Sequence, residues 1–144
     1  MKPFAPFLLA LALAACAAAP QKPLVKNNTL YQRLGGAAGV EAVVDASLRR
    51  IHGDLRINIF FENTDLPDLR RLLIEQICAA AGGPCTYSGR SMEEAHSGMN
   101  LSDRDFDVFV EDLVAAMTEV KVSPALQQEV LALFGPMRPQ VVGQ

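Results

Sequence analysis

The apolar positions of this chain recur every three or four residues, which is the spacing of amphipathic helices. One stripe ends at Gly53, a typical helix stop, and its members are Val40, Val43, Val44, Leu48 and Ile51. A second stripe follows Asp65, a predicted N-cap, and its members are Leu66, Leu69, Leu73, Ile77 and Ala80. Gly82, Gly83 and Pro84 end this second segment. Both stripes predict helices with one apolar face.

Capping signals mark where further helices begin. Thr29 with Gln32 predicts a short first helix, which stops at a pair of glycines. Ser102 with Asp105 begins the longest amphipathic run, whose apolar members are Phe106, Phe109, Val110, Leu113, Met117 and Val120. Pro124 suits the first position of a last helix. No segment alternates as strands do, and the helices are of unequal length, so we expect an all-α fold other than a four-helix bundle.

The first residues do not fit this helical domain. A basic Lys2 is followed by an apolar stretch and then by the letters LAAC, which end at Cys16. The pattern is typical of a secretory signal, and it is too short to span a bilayer as a mature helix. Its end resembles the lipobox of bacterial lipoproteins, in which the cysteine carries lipid. A plain signal peptide with an incidental cysteine is the alternative.

This pattern divides the chain into three segments. We predict a signal peptide and lipobox over residues 1–16, a flexible tether over 17–28, and one folded domain over 29–144. The expected product is an exported lipoprotein, anchored in a bacterial membrane by lipid on Cys16 and facing the periplasm. The formal net charge of −3 argues against nucleic acid as a partner.

The other two cysteines leave their pairing open. A bond between Cys78 and Cys85 would close a loop of about eight residues and stabilise the fold by roughly 2–2.5 kcal/mol. Two reduced thiols are the equal alternative. A zinc site made from these cysteines and His96 would lack a fourth ligand. No nucleophile triad and no phosphate-binding glycine loop is recognisable in the sequence.

His96, one of two histidines, lies in a short polar segment just before the long helix with the aromatic face. A neutral imidazole that faces an apolar pocket is what a haem iron needs as its protein ligand. The alternative is an exposed histidine at a helix C-terminus, where the helix dipole favours it. His52 follows two arginines at the end of its helix and precedes Gly53, so we expect it to face solvent.

The chain from Thr29 onward resembles the group 1 truncated haemoglobins, which are short globins that fold two helices over two. The segments that carry this resemblance, in unbroken order, are LYQRLGG, VVDASLRRIHGDLRINIFF, LRRLLIEQICAAAGGPCTYSG, MEEAHSGMNLSDRDFDVFVEDL and ALFGPMRPQVV. The resemblance implies a two-over-two helical sandwich that binds haem b (iron protoporphyrin IX). Its expected ligands are O2 and other diatomic gases, NO and CO.

The resemblance also implies roles for individual residues. His96 matches the proximal iron ligand, and Phe61 matches the phenylalanine that packs on the porphyrin. Leu69 and Leu73 fall on the helix that covers the distal side, with Leu48 on the preceding helix. Further residues fall where family members line the proximal side and the haem edge: Tyr87, Met92, Met99, Leu101, Phe106, Phe109 and Leu113. Two facing apolar walls with one histidine between them suit a flat apolar cofactor.

The distal positions depart from the family pattern. Members often place a tyrosine and a glutamine there to hydrogen-bond oxygen, whereas this chain has Leu48, Leu69 and Leu73. Ser47 and Gln76 flank these positions and are the nearest substitutes. One charge-assisted hydrogen bond is worth roughly 1.5–3 kcal/mol, which is one to two decades in affinity. We therefore expect weaker oxygen binding, easier autoxidation and an open sixth iron site.

A gas-binding haem protein is the favoured function, rather than an enzyme. A nitric-oxide dioxygenase or a peroxidase-like enzyme is the alternative, and each needs an electron source or an oxidant that the sequence does not display. A third hypothesis is a haem-less lipoprotein that keeps the globin scaffold as an interaction module. Beyond the gases and the membrane, a reductase of unknown identity is a conceivable partner, and we expect a monomer.

Overall fold

A computed structural model describes residues 28–144. The predicted signal peptide, the lipobox with Cys16 and nearly all of the predicted tether lie outside the described residues.

The described residues form helices and no strand, which confirms the predicted all-α class. The α-helices, in chain order, are α1 (Leu30–Arg33), α2 (Gly36–Gly53), α3 (Leu66–Ala80), α4 (Met92–His96), α5 (Asp103–Glu119), α6 (Pro124–Phe134) and α7 (Arg138–Val141). Short 3-10 segments occupy Asn58–Phe61 and Gly135–Met137. Over the same span of the chain, no helix combines the length and the apolar character that crossing a membrane requires.

Side-chain caps begin the helices where the sequence predicts them. The side chain of Thr29 accepts a hydrogen bond from an amide of α1, and Asp65 does the same for α3. Ser102 and Asp105 form a reciprocal capping box at the start of α5, and Ser123 caps α6. These bonds satisfy amides that the first helical turn leaves without partners. The helix starts were therefore predictable from local sequence.

Gly35 and Gly36 turn the chain sharply between α1 and α2. Their φ angles are +99° and +65°, in the left-handed region where a side chain is strained. The turn lets the one-turn helix α1 pack against both α2 and α6. The glycine pair that the sequence marks as a helix break is thus a conformational requirement.

The core lies between two pairs of helices. Helix α2 packs against α3 and also against α5, and α5 packs against α6, so the four long helices form two layers. The buried cluster between them consists of Leu34, Val40, Val43, Val44, Ile77, Leu113, Met117, Val130 and Phe134. Burying each such side chain contributes about 1.5–3 kcal/mol relative to leaving it exposed. The stripes of α2, α3 and α5 that the sequence predicts meet in this cluster.

A disulfide joins Cys78 near the end of α3 to Cys85 in the segment that leads to α4. The Cα atoms of the two cysteines are 5.7 Å apart, an ordinary separation for a bridged pair. The structure thereby resolves the pairing that the sequence leaves open. It also removes both thiols from consideration as zinc ligands.

Candidate functional site

A cavity opens beside α4, which contributes Met92 and His96 to its lining. Its volume is about 830 Å³, including the part that is open to solvent. The residues that line it are Leu48, Ile51, Ile57, Phe60, Phe61, Leu73, Gln76, Met92, His96, Met99, Leu101, Asp105, Phe106, Phe109, Phe134, Met137 and Val141. Nearly all of these side chains are apolar, which is the character of a cofactor or ligand site.

The lining comes from two stretches of the chain, which we call the first wall and the second wall. The first wall consists of the lining residues from 48 to 76, on α2, α3 and the connection between them. The second wall consists of the lining residues from 92 to 141, on α4 to α7 and the loop after α4. The walls meet at a buried cluster of Ile51, Ile57 and Val108, against which Phe61 and Phe109 both pack.

His96 is the last residue of α4 and lies half-buried in the second wall. Its Nδ1 atom is 2.7 Å from the backbone oxygen of Met92, one turn earlier in the same helix. A carbonyl oxygen can only accept, so Nδ1 carries the proton and donates. This bond fixes the tautomer and leaves the lone pair on Nε2, which has no hydrogen-bond partner among residues 28–144.

Two other polar side chains line the cavity. Asp105 belongs to the capping box of α5, and its Oδ2 atom accepts from the Ser102 hydroxyl at 2.6 Å and from the Ser102 backbone N–H at 2.8 Å. The hydroxyl, followed by the backbone N–H, lowers the pKa of the Asp105 carboxyl. The charge of the Asp105 carboxylate therefore stabilises the start of α5. Gln76 donates to the sulfur atoms of Met92 and Met137.

The structure brings most of the predicted site residues together. Of those predicted to bind the cofactor, the ones that line the cavity are Leu48, Phe61, Leu73, Met92, His96, Met99, Leu101, Phe106 and Phe109. Leu69, Tyr87 and Leu113 are not part of this lining.

Each of these three side chains has a different environment. Leu69 is half-buried on α3, one turn before Leu73. The hydroxyl of Tyr87 donates to the backbone oxygen of Arg90 at 2.9 Å, and burial raises the pKa of this phenol. Leu113 is 2% exposed and belongs to the main core, two turns beyond Phe106 on α5.

Several lining residues were not predicted as part of the site. They are Ile51, Ile57, Phe60, Gln76, Asp105, Phe134, Met137 and Val141. Phe60 adjoins the predicted Phe61, so the paired phenylalanines were a usable signal. Phe134, Met137 and Val141 come from the C-terminal elements, where the sequence shows no regular apolar stripe that would point to a cavity.

The predicted lack of a hydrogen-bond donor on the first wall is traceable to particular side chains. Leu48 and Leu73 line the cavity and offer no donor. Ser47 is 5% exposed, and its hydroxyl donates to the backbone oxygen of Val43 at 2.8 Å, so it does not reach the cavity. Gln76 is the one polar residue of the first wall, and its amide is directed at the sulfurs of the second wall.

No other metal site competes with His96 in the described part of the chain. No group of three or more histidine, cysteine, aspartate or glutamate side chains is close enough to hold an ion there. His52 is exposed near the end of α2, as the sequence predicts, and does not line the cavity. A metal ion bound at this site would therefore need its other ligands from outside the protein, such as the nitrogen atoms of a macrocycle.

The cavity residues fit the haem that the sequence leads us to expect. The walls are apolar and aromatic, and Nε2 of His96 is the available nitrogen donor. The Oδ2 atom of Asp105 is hydrogen-bonded within the cap of α5. These features would hold a flat, apolar, iron-bearing ring by one bond and by surface burial.

Comparisons with known proteins point the same way. Residues 29–142 match the family model described as bacterial-like globin. A group 1 truncated haemoglobin from Tetrahymena pyriformis is 33% identical over 119 residues, which cover 83% of this chain and 98% of that protein. A group 1 truncated haemoglobin from a Synechocystis species is 37% identical over 112 residues, which cover 75% of this chain and 90% of that protein.

Solved structures agree with these sequence matches. The crystal structure of the Tetrahymena pyriformis truncated haemoglobin, in its Fe(III) form, is similar with a TM-score of 0.78 and 33% identity, over 81% of this chain and 99% of that chain. A 2/2 haemoglobin from a Synechococcus species was solved in the cyanomet state with covalently attached haem. It is similar with a TM-score of 0.75 and 34% identity, over 81% of this chain and 99% of that chain.

Proposed function

The chain belongs to the bacterial-like globin family, within the group 1 truncated haemoglobins, whose cofactor is haem b, and we propose that it binds diatomic gas at iron held by His96. Gas binding through haem is the property of the family. The identity of the iron ligand, the reversible binding of O2, NO or CO, and the location of the protein are the parts that we propose.

The hydrogen bond between His96 and Met92 is the observation that carries this proposal. It holds the imidazole with Nδ1 protonated and Nε2 free, at a cavity whose other side chains are nearly all apolar. An iron ligand needs this tautomer, and a partner on the far nitrogen also makes the ligating nitrogen more basic. His52, by contrast, is exposed and does not line the cavity.

Haem, when bound, supplies an iron atom with one position open to a small gas molecule. Leu48, Leu73 and Phe61 would cover the ring and exclude water from that side. Because these side chains have no N–H or O–H, they favour CO and NO over O2, which depends more strongly on a hydrogen-bond donor. We therefore propose a gas-binding protein that holds O2 weakly.

A haem titration tests the proposal. The purified protein, prepared without cofactor, should take up one haem per chain and develop a Soret band that shifts when CO is added to the reduced form. A protein that stays colourless, or that binds haem without stoichiometry, would instead favour the haem-less scaffold. Stopped-flow consumption of NO by the oxygenated protein separates simple binding from a dioxygenase, because only the enzyme turns over.

We also propose that the protein is exported and carries lipid on Cys16. The support is the sequence pattern of residues 1–16, together with a disulfide of the kind that persists in oxidising compartments. Labelling of expressing bacteria with a fatty acid analogue should mark the wild-type protein, and Cys16→Ser should abolish the label. A label that survives this substitution would rule out attachment at Cys16.

A further inference from the structure

Gln76 connects the two walls at the helix that bears His96. Its Nε2 atom lies 3.4 Å from the sulfur of Met92 and 3.6 Å from the sulfur of Met137. An amide NH2 group has two donors, and thioether sulfur is a weak acceptor, so the two sulfurs can engage both N–H groups. Gln76 lies on α3, Met92 begins α4, and Met137 ends the last 3-10 segment. One side chain thus joins three elements.

Met92 is also the residue that orients the His96 ring. Its sulfur accepts from Gln76, and its backbone oxygen accepts from Nδ1 of His96 at 2.7 Å. A displacement of Met92 would therefore displace the acceptor that holds the imidazole. The route from Gln76 to the iron ligand passes through a single residue.

Helix α4 depends on such outside support because it has only five residues. Isolated helices shorter than about 12–15 residues are marginal in water. Within the described chain, Ser91 and Glu94 cap the start of α4, and α7 packs along it. Gln76 is the side chain of α3 that bonds to it. The first wall therefore holds α4 through this amide.

We propose that Gln76 is a positioning residue for His96, which acts by holding Met92, and not a donor to the bound gas. The inference rests on the proposed function, because the position of His96 matters for haem only if His96 is the ligand. Both N–H groups of Gln76 are directed at sulfur, so donating to a gas molecule would require breaking an existing contact.

Gln76→Met is the variant that tests this role. Methionine keeps the length and apolar volume of the side chain and removes both donors. In the haem-free protein, the amides of α4 should exchange with solvent about two- to ten-fold faster, the range that one hydrogen bond represents. In the ferrous haem protein, the iron–histidine stretching band should shift or broaden in resonance Raman spectra, and haem release should accelerate by a similar factor.

Two further variants make the test specific. Met92→Leu removes the acceptor sulfur but keeps the backbone oxygen, so it should reproduce the effect of Gln76→Met, and the double variant should add little. Gln127→Met is the matched control. Gln127 is 8% exposed on α6 and donates to Thr118 and Val122, outside the cavity lining. Its substitution should lower stability without changing the stretching band or the exchange of α4.

The outcomes separate this inference from the proposed function. If the wild-type protein takes up no haem, the proposed function fails and the inference fails with it. If haem binds, but Gln76→Met leaves both the stretching band and the exchange of α4 unchanged, the inference alone is overturned. The inference is also overturned if Gln76→Met changes only the oxygen dissociation rate, because Gln76 would then act on the gas.

Discussion

The two walls of the cavity use polar atoms in opposite ways. The second wall contains one imidazole whose orientation is fixed by a hydrogen bond to its own helix, so a single nitrogen lone pair is presented. The first wall consists of apolar side chains around Leu48 and Leu73, and its one amide, Gln76, is directed across to the second wall. The second wall thus provides one nitrogen that can bind a metal, and the first wall provides no hydrogen-bond donor for a molecule bound in the cavity.

The difference between the walls predicts that haem retention and gas preference, which act together in the haem-bound protein, depend on different side chains. On the proposed function, retention of haem depends mainly on the second wall, where loss of one lone pair would remove the bond to the metal. Preference among gases depends on the first wall, where a single donor is worth one to two decades in oxygen affinity. Apart from Gln76, which bonds across to Met92, substitutions in one wall should therefore leave the property of the other wall largely intact.

The largest effect is expected from His96→Gly. Removing the ligand should weaken haem binding by more than roughly 100-fold, since disturbing even the outer partners of a metal ligand costs 10- to 100-fold. Added imidazole should restore a haem spectrum because glycine leaves space for it. Haem transfer to apomyoglobin measures the loss. His52→Ala is the control and should retain haem, and equal loss in both variants would show that neither histidine is the specific ligand.

The next largest effect concerns the first wall, where Leu48→Tyr adds a hydroxyl. Oxygen should dissociate about 10- to 100-fold more slowly, whereas CO dissociation should change little. Leu48→Phe adds the ring without the donor and isolates the steric contribution. Flash photolysis and stopped-flow mixing give both rates. Equal slowing by phenylalanine and tyrosine would mean that ring size, and not hydrogen bonding, controls oxygen on this wall.

Breaking the Cys78–Cys85 disulfide tests the covalent connection between α3 and the segment that leads to α4. The double variant Cys78→Ser, Cys85→Ser should unfold at lower urea concentration, with a loss of about 2 kcal/mol in unfolding free energy. Wild-type protein treated with reductant should match it. Coinciding unfolding curves for the oxidised, reduced and variant proteins would contradict a stabilising role for the bond.

The smallest effect concerns Asp112, a buried carboxyl on α5 that does not line the cavity. One of its oxygens has no hydrogen-bond partner among residues 28–144, and burial raises the pKa of this group. The folded state thus favours the protonated form, so its contribution to stability is greatest below the unfolded pKa of about 3.9 and falls as pH rises. Asp112→Asn should therefore gain stability relative to wild type as pH rises, within about 1 kcal/mol.

The contribution of Glu119 to stability should depend on pH in the opposite direction to that of Asp112. Hydrogen bonds from Arg49 and then Arg50 lower the pKa of its carboxyl. Its contribution is present above the unfolded pKa and is lost as pH falls through the folded value. Glu119→Gln should therefore lose stability relative to wild type at neutral pH and approach it in acid. Profiles for Asp112→Asn and Glu119→Gln that both run parallel to the wild-type profile would contradict both assignments.

Local patterns in the sequence were sufficient for most of the fold. The starts of α1, α3, α5 and α6 were predictable because each cap is a bond between residues three positions apart, as at Ser102 and Asp105. The apolar stripes of α2 and α5 predicted much of their buried faces because helical spacing places those residues on one side. The α3 stripe was less accurate, since Ile77 is buried but Ala80, at the end of the helix, is exposed. Neither kind of signal depends on the rest of the chain.

The parts of the site that escaped prediction depend on how helices pack. Met137 and Val141 reach the cavity because the short C-terminal elements fold back against α4 and α5, which no local pattern encodes. Leu113 continues the stripe of Phe106 and Phe109 but lies beyond the end of the cavity, in the core. Gln76 was noted as a flanking residue, yet its partners are 16 and 61 positions away.

We propose that one imidazole holds the haem iron and that the first wall supplies no second ligand. The absorption spectrum of the reduced, gas-free protein distinguishes this arrangement from others. We predict the single broad visible band of five-coordinate, high-spin ferrous haem with a histidine ligand, converted to a six-coordinate spectrum by CO. Split, sharp bands of a six-coordinate low-spin haem before any gas is added would contradict the claim.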